Sequence, residues 1–314
     1  AFIGAFIFSI VSLVAVKNAL FEDAGLFAIF CFTLLVFAIV VVTFVRWVDR
    51  LARLGRVVNI IGKAEKAAGD ALGRRRHAPT LGGLTAPPHE HPDQAQGLSV
   101  YSATVGYVQH INLETLQSWA VAHDCQITVA ALPGAFVGTR RPLVYVSGAR
   151  SCDPEALAGA FTISSNRTFE DDPRFGLLAL SEIADKALSP GINDPGTAIN
   201  VIGTLVRLFT VWQSPPEQDR LRPTDYDRVA VPRLVIDDLF DDAFTAIARD
   251  GAGKVEVAIR LQKGFYALAQ LDNPPMVAAA KKHSRLALAR AKQALTLQED
   301  VDAVSAAAGF SAVS

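Results

Sequence analysis

Two short stretches hold the residues whose types and spacing could do chemistry. SNRTFEDDPRFG, residues 165 to 176, places Arg167 just before Glu170, Asp171 and Asp172, and SPGINDP, residues 189 to 195, places Asn193 and Asp194 before a proline. Asp followed by Pro is also how helices start. The carboxylate accepts from the free N–H groups of the first turn, and proline at the first helical position has no N–H to leave unpaired. The dipeptide occurs at Asp153-Pro154, Asp172-Pro173 and Asp194-Pro195. Two readings stand side by side. In one, these residues only cap helices. In the other, two helix starts come together and Arg167, Asp171, Asp172, Asn193 and Asp194 line a ligand pocket, with an anion preferred to a metal because helix N-termini and an arginine both favour negative charge.

No nucleophile–base pair accompanies either stretch, so no catalytic residue is named. GAGK at 251 to 254 lacks the spacing and the Ser or Thr of a phosphate loop. His89, Glu90 and His91 are too short a run to define a metal site, and Asp237, Asp238, Asp241 and Asp242 read as carboxylates favoured at a helix start. No metal and no cofactor is expected.

The elements that must position these residues come in three kinds. PRFGLLALSEIADKALS, PGTAINVIGTLVRLFTVW, RLVIDDLFDDAFTAIARDG, KVEVAIRLQKGFYALAQLD and PPMVAAAKKHSRLALARAKQALTLQEDVDAV repeat apolar residues at helical spacing. SVYSATVGYVQHI and CQITVAALPGAFVGTRRPLVYV are rich in β-branched and aromatic residues, with Pro133-Gly134 and Gly138 as turns, and NLETLQSWAVAHD between them reads as a helix capped by Asn112.

The third kind belongs to lipid. Over half of the 314 residues, 51%, are hydrophobic, and the mean hydropathy is +0.28, more apolar than an ordinary soluble chain. Residues 24 to 45 carry no charge over a length that crosses a bilayer, at ~1.5 Å rise per residue against ~30 Å of hydrocarbon. Residues 1 to 16 are uncharged too but shorter, and the chain opens on Ala1, so this first helix is expected to be cut. Lys17, Glu22 and Asp23 lie between the two segments, whereas Arg46, Arg50, Arg53, Arg56, Lys63 and Lys66 follow the second. The positive-inside rule then puts the hairpin outside and the remainder in the cytoplasm. Cys125 and Cys152 fall in that reducing compartment without metal or disulfide spacing, and Cys31 lies in the apolar segment. A net charge of −1 gives no reason to expect a nucleic-acid partner; the basic run marks topology and anionic lipid. Trp47, Leu51, Leu54, Val58 and Ile61 form an apolar stripe along a continuous helix expected to run to about residue 72, buried either within the chain or against a second copy.

GYVQHINLETL at 106 to 116, PGAFVGTRRPLVYV at 133 to 146, RTFEDDPRFGLLALSEIADKALSPGINDPGTA at 167 to 198 and the apolar pair before them resemble a bacterial family of predicted membrane proteins, domain of unknown function 2254. The resemblance runs along essentially the whole chain and is most specific at SPGINDP. It implies an architecture, with a further transmembrane hairpin upstream in typical members, and no reaction, ligand or catalytic residue.

The expected fold is an α+β membrane protein. It comprises a transmembrane hairpin at 1–46, an amphipathic helical extension at 47–72, a linker at 73–97, a small β-rich module at 98–148 and a mainly helical cytoplasmic domain at 149–314. The expected place is the bacterial inner membrane, with the bilayer and a second copy of the chain as partners. The favoured function is a homo-oligomeric channel or transport-like protein, because two short-looped membrane helices bury little alone. A membrane-anchored ligand-sensing or scaffolding protein is the alternative, and a membrane-bound enzyme comes third.

Overall fold

The structure, a computed structural model, describes residues 2–18, 23–54, 57–86, 97–213 and 224–309. The chain divides into two units, residues 1–60 and 61–314.

The first unit is helical. α1 spans Phe2–Lys17 and α2 spans Asp23–Leu54, and the two are in contact. Ala24–Trp47 within α2 is, among the described residues, the one helix long and apolar enough to cross a membrane, and none of its residues is buried. At ~1.5 Å per residue its 24 residues reach about 36 Å, whereas the 16 residues of α1 reach about 24 Å. The hydroxyls of Ser9, Thr33 and Thr43 donate to the carbonyls four residues earlier at 2.9, 2.8 and 2.7 Å, so none is left unpaired on an apolar surface.

The second unit begins within α3 (Val57–His77), whose Ile61, Ala68 and Leu72 are buried in a helical core. The apolar stripe thus ends differently from how it starts: Trp47 is 55% exposed and Ile61 only 3%. The side chains of Leu51, Leu54 and Val58 lie outside the described residues, as do residues 55 and 56 between α2 and α3. The helix expected to stop near 72 runs on to His77, and strand β1 (Gly83–Thr85) follows, so part of the stretch read as a linker is regular structure. His89, Glu90 and His91 lie outside the described residues.

Two sheets follow. β2 (Leu98–Tyr101), β4 (Gln126–Val129), β6 (Pro142–Ser147) and β8 (Tyr226–Val231) join β1 in the order β1-β8-β4-β6-β2. β3 (Gly106–Ile111), β5 (Phe136–Val137) and β7 (Phe161–Ser164) form the second sheet, in the order β5-β3-β7. β8 runs parallel to both β1 and β4, and β6 pairs antiparallel with β4 and β2. β6 is buried from Leu143 to Val146, as an interior strand between two covered faces must be. α4 (Leu113–Ala122) lays Leu116 and Ala120 into this core and is capped by Asn112, which accepts from Thr115 N at 3.0 Å. The short α5 (Pro154–Ala158) is capped by Asp153. The β module is therefore larger than the 98–148 expected from sequence. β1, β7 and β8 join from outside it, and β7 and β8 come from the domain read as mainly helical.

The helical body consists of α6 (Pro173–Leu188), α7 (Pro195–Gln213), α8 (Ile236–Asp250), α9 (Val255–Ala269), α10 (Pro274–Ala294) and α11 (Gln298–Ala307). Phe209, Phe240, Phe244 and Phe265 meet at its centre, with ring centroids 4.5 Å apart for Phe209–Phe240 and 5.0 Å for Phe244–Phe265. The last helix of the sequence reading is two: the chain turns at Leu295 so that Val304 of α11 packs with Ala258 of α9 and Ala291 of α10.

Candidate functional site

The segment from Arg167 to Gly176 is held from three sides. Asp172 is 1% exposed and uses both carboxylate oxygens: one accepts from Arg167 Nε at 2.7 Å, the other caps α6 through Phe175 N at 3.1 Å. Its carboxylate lies against the Pro133-Gly134 turn, where a Cβ at Gly134 would stand 2.4 Å from Asp172 Oδ2, and Gly134 has φ +92°, a conformation that only glycine adopts without strain. That turn is fixed to β3 by Gly134 N donating to Val108 O at 2.8 Å and Val108 N donating to Ala135 O at 3.0 Å.

From β3, His110 Nδ1 meets Asp171 Oδ2 at 2.6 Å and Gln109 donates to Asn166 O at 2.7 Å. From α3, Arg74 Nε donates to Glu170 O at 3.2 Å, and Ala68 packs so tightly on Gly176 that a Cβ there would come within 2.4 Å of Ala68 Cβ. Arg75, also on α3, is 3% exposed, and both of its terminal nitrogens are buried without a hydrogen-bond partner. Burial pushes its guanidinium down to about 10, against the opposing pull of Asp171 and Asp172.

Arg167 and Arg174, on either side of the α6 cap, both reach a cavity of about 390 Å³ that is walled on its other sides by residues 132–136 and 232–235. Ligand pockets begin at roughly this size. Arg174 is already engaged, with Nε 2.6 Å and Nη2 3.1 Å from the Asp242 carboxylate and Nη1 3.1 Å from Asp238. The hydrogen bond to Asp242 and the charges of Asp242, Asp238 and Asp172 hold its guanidinium above the ordinary arginine value, against the opposing effect of burial. Arg167 is fixed by Asp172 and by two rings, its guanidinium carbon 5.2 Å from the Phe175 centroid and 6.0 Å from that of Tyr107. Arg141 and Arg233 complete the lining, and both are exposed. Arg141 donates to Phe136 O at 3.2 Å, and among the described residues neither arginine has a carboxylate partner.

A wider hollow of about 710 Å³ lies where α3 meets Glu170 and Asp171. Arg74 there is bound to the Glu170 carbonyl, the terminal nitrogens of Arg75 are closed off from solvent, and Asp70, Glu170 and Asp171 share the lining. The 390 Å³ cavity is the better candidate for an anion because four arginines line it against two aspartates, whereas three carboxylates line the wider hollow against two arginines.

The five residues singled out in the sequence fall in two places. Arg167, Asp171 and Asp172 gather at the start of α6. Asn193 and Asp194 lie beyond its far end, and the 16 residues of α6 separate the two helix starts by about 24 Å. Asp194 caps α7, accepting from Thr197 N at 3.1 Å and Thr197 Oγ1 at 2.6 Å, and these bonds hold its carboxyl below the usual range. Asn193, at φ +52°, accepts from Lys254 Nζ. The pairing of Asp238 and Asp242 with an arginine has a sequence signal, two carboxylates at i, i+4 on one helix face. Arg75, Arg141 and Arg233 have none. No group of three or more His, Cys, Asp or Glu that could hold a metal occurs among the described residues.

Residues 1–267 match the family described as predicted membrane protein, domain of unknown function 2254. The chain belongs to this family. The resemblance carried by the 106–116, 133–146 and 167–198 segments is thereby borne out, and the residues that build the cavity and the α6 cap fall within the matched range. Among similar proteins are uncharacterized ones from Mycobacterium tuberculosis and Mycobacterium bovis, 30% identical over 146 residues, or 44% of this chain and 27% of theirs. The match thus spans about a quarter of these relatives' length. No solved structure matches the chain significantly.

Proposed function

We propose that this chain is a membrane-anchored sensing protein whose second unit binds an anionic ligand in the arginine-lined cavity. The observation that carries this is the state of the four arginines: Arg167 and Arg174 are held by aspartates as a fixed floor, while Arg141 and Arg233 present guanidinium groups with no carboxylate partner among the described residues. A guanidinium fork is suited to bidentate recognition of carboxylate or phosphate. Sensing is preferred to the channel reading because the latter rests on the apolar helices alone, whereas the cavity gives the body a chemistry of its own. In this proposal α1 and α2 form a transmembrane hairpin in a bacterial inner membrane, with the body cytoplasmic in accord with Arg46, Arg50 and Arg53 at the C-terminal end of α2.

The test is a thermal-shift panel of phosphate, sulfate, nucleotides and small carboxylates on the detergent-solubilised chain. An anion that binds only the folded form raises the melting temperature by mass action. The rise is expected in the wild type and is expected to be lost in Arg141→Ala combined with Arg233→Ala. A wild type indifferent to every anion would overturn the proposal.

A further inference from the structure

The cavity's charge and its rim together narrow the ligand. Arg141 and Arg233 line the cavity from the same end of the five-stranded sheet, one entering β6 and the other leaving β8 with β4 between the two strands, and they leave two positive charges without carboxylates among the described residues. Asp238 and Asp242 also line the cavity but are spent on Arg174, and they make its α8 side unfavourable to an anion. An anionic group is therefore directed toward the Arg141–Arg233 side. Around it the lining turns apolar, through Leu132, Pro133, Phe136, Leu234 and Val235, and Phe136 and Val235 are 53% and 57% exposed. Exposed large apolar side chains beside paired cations fit an organic group attached to the anion better than a bare inorganic ion.

We propose that the cavity is a phosphomonoester site, in which the dianionic phosphate is taken between Arg141 and Arg233 and its organic substituent lies against Phe136 and Val235. The inference rests on the sensing proposal above and specifies its ligand. The phosphate can come from a soluble ester such as a nucleotide or from the headgroup of an anionic lipid, and the chemistry at the arginines is the same.

The ligand's own titration supplies the test. A phosphomonoester takes its second charge near pH 6, and no histidine lines the cavity among the described residues. Affinity for adenosine monophosphate, measured by calorimetry on the detergent-solubilised chain, is expected to tighten about tenfold from pH 5 to pH 7.5, in step with the dianion fraction. Affinity for a sulfate monoester, a monoanion over that range, should be weaker and flat. Phe136→Ala is expected to weaken the nucleotide several-fold and leave inorganic phosphate unchanged, and Asp238→Asn to tighten both by removing a like charge. A second arm with phosphatidic acid in nanodiscs, against phosphatidylcholine alone, distinguishes a lipid source from a soluble one. Binding of carboxylates and sulfate esters as tightly as phosphate, with no pH dependence, would overturn the phosphomonoester assignment and leave an anion site. Absence of any anion binding, or binding untouched by Arg141→Ala with Arg233→Ala, would overturn both. Both arginines are exposed, so these variants are expected to fold.

Discussion

Asp172 holds Arg167 at 2.7 Å with one carboxylate oxygen and the first turn of α6 with the other, from a position 1% exposed to solvent. The pair links the floor of the cavity to the start of a core helix, so changes on its two sides should differ in kind. Asp172→Ala leaves a mostly buried guanidinium without its partner and removes the cap. Breaking a buried pair from one side costs ~3–5 kcal/mol, and a lost cap ~1 kcal/mol more. Asp172→Asn keeps an acceptor for Phe175 N and should fall between wild type and Asp172→Ala. Chemical unfolding followed by the fluorescence of Trp119 and Trp212 checks the order, and equal stability of all three proteins would contradict it.

Gly134 and Gly176 test the same junction through shape. At Gly134 a methyl group meets the Asp172 carboxylate at 2.4 Å and the backbone sits at φ +92°; at Gly176 it meets Ala68 of α3 at 2.4 Å. Alanine at either position should destabilise the protein by ~1–3 kcal/mol through overpacking. Gly191→Ala is the control, since nothing lies within 4 Å of a Cβ there. A loss at Gly191 as large as at Gly176 would refute the argument.

What the sequence made legible was local. Asn112, Asp153 and Asp172 announce their helices because a cap is a contact across two or three residues. The cavity was not legible, because its walls meet only through the fold. Arg174 and Asp238 are 64 residues apart, and the Gly134 turn finds Asp172 only once β3 has fixed it. β8 escaped for the same reason: YDRVAV sits between two helices and becomes a strand by pairing with β1 and β4, partners that no local pattern reveals. The idea of two converging helix starts failed on length, since a helix of 16 residues cannot bring its own start next to that of the helix after it.

His283 makes stability depend on pH. It is 4% exposed beside Phe240 and Phe265, and burial holds its imidazole below the ordinary value. Asp241 and Asp237 carboxylates at 3.3 and 3.9 Å oppose that shift, and Lys282 and Arg290 reinforce it. Because the folded form resists the proton, the unfolded chain takes it up first as the pH falls below the usual ~6.5, so stability is full above that value and declines below it. The melting temperature should drop between pH 7.5 and 5.5, and His283→Gln should flatten the drop. A wild-type profile that rises on acidification would reverse the sign of the argument.

Membrane placement is tested by labelling. In a background without Cys31, Cys125 and Cys152, a cysteine at Asn18 should react with an impermeant maleimide in intact cells, and one at Gln94 only after permeabilisation. The opposite pattern would place the body on the other side of the membrane from the one proposed.

Asp194 gives the SPGINDP turn its test. Ile192 N and Asn193 N donate to Ser189 O, Asp194 N donates to Ala187 O, and the Asp194 carboxylate takes Thr197 N and Oγ1. Each of these bonds either closes α6 or opens α7. Asp194→Ser, a comparable cap, should keep most of the stability, whereas Asp194→Ala should lose ~0.5–2 kcal/mol. The Thr197 bonds lower the Asp194 pKa, so its contribution is complete above the ordinary ~3.9 and fades as the pH falls below it. The advantage of wild type over Asp194→Ala should therefore persist at pH 5 and shrink toward pH 3, and Asp194→Ser, which does not titrate, should keep its advantage throughout. If the turn only caps, neither substitution changes the anion-induced rise in melting temperature, because Asp194 lies at the end of α6 remote from the cavity. A rise abolished by Asp194→Ser in a protein of unchanged stability would give the turn a role in binding that its geometry does not provide.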